Sequence, residues 1–459
     1  MIPAKKYGAL AAGLMLAACS SMDKVPAVPI DYATVWQYAP QAPAAIAVEK
    51  DWWKSFASTQ LQQLIEVAQA ESPDARIALE NVTQAELQMK IANASLFPSL
   101  SASASRGESR SVANDGDWAT SGSDKGSLSA SYEVDLWGRL MAERHAQKSS
   151  YKATVFDTEA TRLSIAAGMA SAWFNYLALQ ERLATAEKNL VIAARIQKVV
   201  DSQYANGVAS AADVAQQRTS FLSQQSALLP LQLQIDQTRA AIALLEGKVP
   251  QGFQLGSERL MDLAIPDIAA GVPSDLVTRR PDIGSMEAQL QGASADVYAA
   301  RTALLPSVKL TGSKSASGIF AQNPLLESTG WSLTLAQTLF AGGKLKNQVS
   351  LSKSNQVVMV EKYRKTILTA LQEVDDSLNR SRVTRQQEIN QQEILVQAER
   401  SLRLTETRYR EGEADLLSLL DAQRSLFQAQ DALVQQRLAR LQASVDLYKA
   451  LGGGWQKPE

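Results

Sequence analysis

The chain carries two copies of one long pattern. Ser72, Pro73 and Asp74 open a run that closes with Leu96, Phe97, Pro98 and Ser99. Arg280, Pro281 and Asp282 open a second run that closes with Leu304, Leu305, Pro306 and Ser307. Both ends are displaced by 208 residues (Pro73 to Pro281, Pro98 to Pro306), and Val82, Ala85 and Ala92 fall on Leu290, Ala293 and Ala300. Farther on, the stretch from Tyr204 to Gly207 returns as Tyr409 to Gly412, and Phe221-Leu222 as Leu426-Phe427, at an offset of 205. Tandem copies of this length mean one structural unit used twice, each copy adding matching elements to a common architecture.

Charge and cysteine usage remove several function classes. With 46 basic and 47 acidic residues, no cationic excess exists to neutralise phosphates, so nucleic acid is not a partner. One Cys and one His leave no zinc site, disulfide framework or Cys/His pair. His145 sits among Arg144, Gln147 and Lys148 and reads as a solvated helix residue. Ala341 to Lys344 lacks the first Gly and the final Ser/Thr of a phosphate loop and reads as a turn. No nucleophile–base or metal constellation appears, so the expectation is no enzyme and no cofactor.

The N-terminus is an export signal. Lys5 and Lys6 precede an apolar stretch from Tyr7 to Ala18, too short to span a bilayer. It ends in Leu16-Ala17-Ala18-Cys19, which resembles a bacterial lipobox and makes Cys19 the expected lipidation site. Ser20 rather than Asp follows, which by resemblance to lipoprotein sorting directs the chain to the outer membrane. The simpler alternative is a secreted protein cut nearby with an idle thiol.

The remaining chain alternates helix and strand periods. Pro26, Pro29, Pro40 and Pro43 mark an extended tether. Leu61, Leu64, Ile65 and Ala68 start a short amphipathic helix after Trp52 and Trp53. A helix from Pro73 stops at Pro98. Ser99 to Ser105 alternates strictly, residues 106–126 read as a polar loop, and Leu128 to Leu136 alternates again. A very long helix from about 139 to 203 follows, with Leu183, Ala186, Leu190, Ala193 and Val200 at coiled-coil spacing. Asn206-Gly207 breaks it before a second helix, 211–246. After a turn-rich connector the order repeats. The second copy has a helix from Pro281 and a strand from Pro306. A further strand runs through Trp331, Leu333, Leu335, Gln337 and Leu339. A helix to Gly412 and a last helix with Leu417, Leu420, Phe427, Val434, Leu438 and Leu441 in heptads complete it. The expected division is therefore signal 1–18, lipidated tether 19–50, repeat one 51–246, connector 247–280, repeat two 281–451 and tail 452–459.

Four strands of about ten residues match the length that crosses a membrane as β-barrel staves. Open edges cannot sit in lipid, and four strands cannot enclose a lumen, so several copies must close one barrel. The long helices need neighbours for their heptad faces, and a hollow helical tube answers that need. Two alternatives stay open on pattern alone: a soluble hairpin packed on the helices, and a lipid-anchored periplasmic coiled-coil adaptor or scaffold without a pore.

The lipobox, Arg279-Arg280-Pro281-Asp282-Ile283, Leu304-Leu305-Pro306-Ser307, Tyr409 with Gly412, and Leu419-Leu420-Asp421-Ala422-Gln423 together resemble the outer-membrane factor family, the TolC/OprM-type channels in their NodT-type lipoprotein branch. The resemblance spans nearly the whole mature chain. It implies a mainly α fold with membrane β: a coiled-coil α-helical tunnel plus an outer-membrane β-barrel shared by a homotrimer. It implies passive efflux of drugs or other small solutes in a Gram-negative bacterium. The partners would be a periplasmic membrane-fusion adaptor, an inner-membrane pump of RND type and outer-membrane lipid.

The resemblance also implies site residues. The adaptor would dock at the helix-turn tips, Tyr204 and Gly207 in repeat one and Tyr409, Arg410, Glu411 and Gly412 in repeat two, although glycines there also serve simply to reverse a helix. The periplasmic gate would lie where the last helix begins. Leu417, Asp421 and Arg424 stand at i, i+4 and i+7, on one face. Gln216 occupies the repeat-one counterpart of Asp421, so a trimer would carry three carboxylates at that level. The plainer reading makes Leu417 a coiled-coil core residue and Asp421–Arg424 an ordinary surface pair.

Overall fold

The computed structural model describes residues 26, 28–30, 33–38, 48–112, 118–318 and 326–457. The expected signal peptide and Cys19 lie outside the described residues. The elements follow the repeat. A 3-10 turn Trp52–Phe56 leads into α1 (Thr59–Glu71) and α2 (Pro73–Ala94), then strands β1 (Ser99–Val112) and β2 (Trp118–Val134). Helices α3 (Arg139–Ala205) and α4 (Ala211–Leu245) end the first copy, and a short α5 (Leu276–Arg279) lies in the connector. The second copy runs α6 (Pro281–Thr302), β3 (Ser307–Ser317), β4 (Leu326–Ala336), α7 (Lys344–Arg410) and α8 (Leu416–Ala450). α3 and α7 are 67 residues each, and α4 and α8 are 35 each. None of the described helices is long and apolar enough to cross a membrane.

Two strand expectations need correction. Residues 106–112 and 118–126 are not loop but continuations of β1 and β2, paired from Ser99↔Ser131 to Val112↔Trp118. Pairing satisfies backbone N–H and C=O groups whatever the side chains, so Gly, Ser and charged residues extend the hairpin where apolar alternation has stopped. In repeat two, β4 ends at Ala336 and does not reach Leu339. Among the described residues β4 pairs with β3 alone, and β3 begins at Ser307 opposite Ala336, so Gln337, Thr338 and Leu339 lie past the end of the ladder.

The chain forms two compact units, each drawn from both repeats. One contains Asn81–Val155 and Ser285–Arg364. Its sheet has the order β1-β2-β3-β4, antiparallel throughout. The register sorts side chains by face. Rows on one face read Val134, Val308, Leu335; then Tyr132, Leu310, Leu333; then Leu100, Ala130, Gly312, Trp331. The other face reads Ser99, Ser131, Thr311, Ser332 and Ser103, Ser127, Ser315, Ser328. One face is thus largely apolar and its reverse is mostly hydroxyl, with Glu133 across from Lys309 and Lys125 between Ser105 and Ser317.

The second unit contains Ile30–Glu80, Phe156–Gly284 and Lys365–Glu459. Trp52 stacks on Tyr448 at 5.0 Å, and Phe56 meets Phe174 edge-on at 5.0 Å. A separate apolar cluster joins Ile196 and Val200 of α3, Leu402 and Tyr409 of α7, and Leu416, Leu419, Leu420, Leu426 and Phe427 of α8. Glu388, 2% exposed, is held by Arg437 at 3.2 Å and Arg440 at 2.7 Å, and Arg437 also donates to the carbonyl of Met261. The connector is thereby tied to α7 and α8 through one buried carboxylate.

Candidate functional site

Three places hold the candidate residues: the two-faced sheet, the helix-turn tips and the start of α8. The hydroxyl face of the sheet is internally bonded. Ser101 and Ser129 lie 2.8 Å apart through their Oγ atoms, as do Ser103 and Ser127. Opposite rows on the apolar face end in charge: Arg106 lies across from Asp124, and Lys314 pairs with Glu327 at 3.3 Å. On β3 and β4 the apolar band stops at Gly312 and Trp331, before Lys314 and Glu327; on β1 and β2 it covers about five rows, from Val134 to Gly126. At ~6.6 Å per two-residue row and a strand tilt of ~40°, that is about the thickness of the apolar band on membrane barrels.

Both tips turn on a glycine in the left-handed region, Gly207 at φ 76° and Gly412 at φ 79°. After each turn an oxygen caps the next helix. Ser210 accepts from the Asp213 amide, and Asp213 accepts in return from the Ser210 amide at 2.8 Å. Asp415 accepts from the Ser418 amide at 2.8 Å. The hydrogen bonds from Ser210 hold the Asp213 carboxyl below its usual range, and those from Ser418 do the same for Asp415.

The two tip tyrosines differ. Tyr409 is buried at 7% exposure, and its hydroxyl donates to Gln203 Oε1 at 2.6 Å, tying the end of α7 to the end of α3. Burial, then the nearby Asp213 charge, raises its pKa. Tyr204, its repeat-one counterpart, is 50% exposed. Arg410 and Glu411 are exposed. The open tip surface therefore offers Tyr204, Arg410 and Glu411, whereas Tyr409 is a fastening between helices.

At the start of α8, Leu417 is 55% exposed and so is not a core residue of this chain, contrary to the heptad reading. Leu416, Leu419 and Leu420 fill the core instead, because the helix turns its 416/420/423/427 stripe inward. Asp421 and Arg424 share the outward stripe and form an exposed pair at 3.6 Å.

Sequence reasoning missed two residues. Gln423, 1% exposed, has neither side-chain Oε1 nor Nε2 in a hydrogen bond, and it lines a groove of about 360 Å³ with Gln216, Thr219, Ser220, Ser223, Gln224 and Arg424. Its position in Leu419-Leu420-Asp421-Ala422-Gln423, between residues of an apolar stripe, was the available signal. Arg280 looked like a helix start. It is 8% exposed and bonds Asp282 at 2.7 Å, Glu373 at 2.6 Å and the Ala450 carbonyl at 3.1 Å. Among the described residues no group of three or more His, Cys, Asp or Glu could hold a metal.

Comparison with known proteins gives the setting. The family model "Outer membrane efflux protein" matches residues 64–248 and 272–453, the two repeats. The pyoverdine export outer membrane protein OpmQ of Pseudomonas aeruginosa is 38% identical over 98% of this chain and 97% of its own. The outer membrane channel CmeC of Campylobacter jejuni has a TM-score of 0.85 at 25% identity, covering 96% of each chain. The open state of the Neisseria gonorrhoeae outer membrane channel MtrE has a TM-score of 0.82 at 27% identity, covering 95% of this chain and 98% of its own. With both repeats matched and a relative of this identity along nearly its whole length, the chain belongs to the outer membrane efflux protein family and is an efflux channel protein of the Gram-negative outer membrane.

Proposed function

We propose that three copies of this chain form the exit duct of a tripartite efflux system, fed by an inner-membrane pump of RND type through a periplasmic adaptor. The observation that carries this reading is the sheet: among the described residues it has four strands, two unpaired edges, one largely apolar face and one mostly hydroxyl face. Lipid meets the apolar face and solute the hydroxyls. Family channels are trimers working with adaptors and pumps. The name of a 38% identical relative, a pyoverdine export protein, supports a pyoverdine-like solute as a first candidate. Cys19 anchors the chain to lipid in this reading. Intact mass of the mature protein is expected to show an acylated N-terminal Cys19; an unmodified terminus removes the anchor and leaves the duct.

Leu417, Asp421 and Arg424 form the gate. Their support is the outward stripe, which leaves a leucine and a carboxylate free to face symmetry mates. Three like charges near one axis repel, and Arg424 offsets them. Such a closure costs little to open and favours cations. Leu417→Ala with Asp421→Ala is expected to raise single-channel conductance in planar bilayers and leave the trimer intact. Unchanged conductance from an assembled double variant removes these residues from the gate.

The adaptor docks at the tips in this reading, on Tyr204, Arg410 and Glu411 beside the turn glycines Gly207 and Gly412. Arg410→Glu with Glu411→Arg is expected to weaken adaptor cross-linking several-fold more than trimer assembly. Equal loss of both counts against docking.

A further inference from the structure

Strands β1 to β4 carry nine charged residues, five basic and four acidic. The register sorts them by face. Arg106, Glu108, Arg110, Asp124, Lys314 and Glu327 lie on the apolar side, three of each sign. Arg106 stands across from Asp124, and Lys314 pairs with Glu327 at 3.3 Å. Glu133, Lys309 and Lys125 lie on the hydroxyl side. Glu133 stands across from Lys309 and is bonded by Arg139 at 2.7 Å, and Arg139 also holds Glu143 at 2.6 Å. That level, where β2 runs into α3, balances with two charges of each sign. Lys125 has no such counterpart among the described residues.

The row through Lys125 reads Ser105, Lys125, Ser317 and Leu326, and its same-face neighbours along β2 are Ser123 and Ser127. Lys125 is exposed. Asp124, next in sequence, lies on the opposite face. Glu133 is four two-residue rows away, which at a strand tilt of ~40° is about 20 Å. Salt screens exposed charges over about 8 Å at physiological ionic strength, so Glu133 does not offset Lys125. In the other direction β2 runs on to Trp118, about 23 Å away, before Asp115 and Asp117, which lie outside the described residues.

We propose that Lys125 sets the charge preference of the bore: three copies bring three ammonium groups into one ring, which favours anionic solutes over cationic ones. This rests on the shared-barrel reading and its assignment of faces, and adds the class of solute. A barrel of twelve strands at that tilt has a radius of about 12 Å, and a lysine reaches ~6 Å inward, so each ammonium stands about 6 Å from the axis. The whole cross-section then lies within a Debye length of a charge. Three such charges, in water and screened at physiological salt, raise the concentration of a monovalent anion on the axis about fivefold and of a divalent anion about 25-fold. They lower that of a monovalent cation by about the same fivefold. The neighbouring hydroxyls carry no net charge and have no such reach. Each ammonium is hydrated and sits on a flexible stem, so the ring biases passage without gripping the solute.

Charged thiol reagents read the bore directly. Ser127→Cys places a thiol one row from Lys125 on the same face. The purified full-length variant is reacted with an anionic sulfonatoethyl and with a cationic trimethylammonioethyl methanethiosulfonate. The wild-type chain, whose one Cys is Cys19, is treated in parallel. Both reagents consume the same thiolate, so the ratio of their rates reports the local potential and not the reactivity of the thiol. Adding Lys125→Gln is expected to lower the anionic-to-cationic ratio at least about threefold, and Lys125→Glu to lower it further. Lys125→Arg keeps the ratio, and Lys314→Gln, on the apolar face, leaves it unchanged. Ser317→Cys repeats the measurement from β3 if Ser127→Cys assembles poorly. An unchanged ratio with Lys125→Gln, in protein whose native mass is a trimer, overturns the ring and leaves the shared channel standing. A thiol that reacts with neither reagent at either position overturns the assignment of faces and the ring with it. A chain that is monomeric by native mass overturns the shared barrel and the ring together.

Discussion

Arg280→Ala is expected to lower the unfolding free energy by about 3 kcal/mol, the lower end of the range for breaking a buried ion pair. The guanidinium sits at 8% exposure and joins three parts of one unit: Asp282 at the start of α6, Glu373 on α7, and the Ala450 carbonyl that ends α8. Truncation leaves all three acceptors without that donor. The side chains of Asp282 and Glu373 are 39% and 49% exposed, so water takes up part of the loss and keeps the effect from the upper end. Arg280→Lys keeps the charge but not the fork, and recovers only part of the stability. Helical signal against denaturant measures both variants. A loss under about 1 kcal/mol for Arg280→Ala shows that the network contributes little.

Ala130→Arg and Ser131→Arg change adjacent residues with opposite expected outcomes. Ala130 stands between Leu100 and Gly312 in the middle row of the apolar face. A cation there meets hydrocarbon, costing about 2–4 kcal/mol per chain near the bilayer midplane. Ser131 lies between Ser99 and Thr311 on the hydroxyl face, where a guanidinium meets water. Ala130→Arg is expected to leave little heat-resistant trimer in the outer membrane. Ser131→Arg is expected to assemble normally and shift the reversal potential toward anions. Normal assembly of both, or failure of Ser131→Arg alone, reverses the assignment of faces.

The repeat made the order of elements legible, because caps and breakers stand at matching places in both copies. Pro73 and Pro281 start helices, and Gly207 and Gly412 turn them. Strand length was not legible. Residues 106–126 carry turn-type composition, and only hydrogen bonding to a partner turns them into strand. Gln337 to Leu339 show the converse: the alternation is present, but the ladder ends at Ser307↔Ala336. At the start of α8, spacing put Leu417, Asp421 and Arg424 on one face, but 3/4 periodicity could not say whether that face turned inward; Leu416 and Leu420 took the core. The tip tyrosines look alike in sequence, yet Tyr409 is buried by its bond to Gln203, a residue 206 positions away. Arg280 and Gln423 were invisible as special residues for the same reason: burial comes from other elements.

Ser101 with Ser129, and Ser103 with Ser127, are already hydrogen-bonded to each other. A wall made of such pairs has little left with which to grip a passenger. Each paired hydroxyl wets easily but is occupied by its neighbour, and charge enters this face at the Glu133–Lys309 row and at Lys125. A molecule moving past slides from one alcohol to the next without a deep resting place. Such a lining resists fouling by chemically diverse cargo and passes whatever is pushed into it, so the choice of what leaves the cell is made before the cargo arrives.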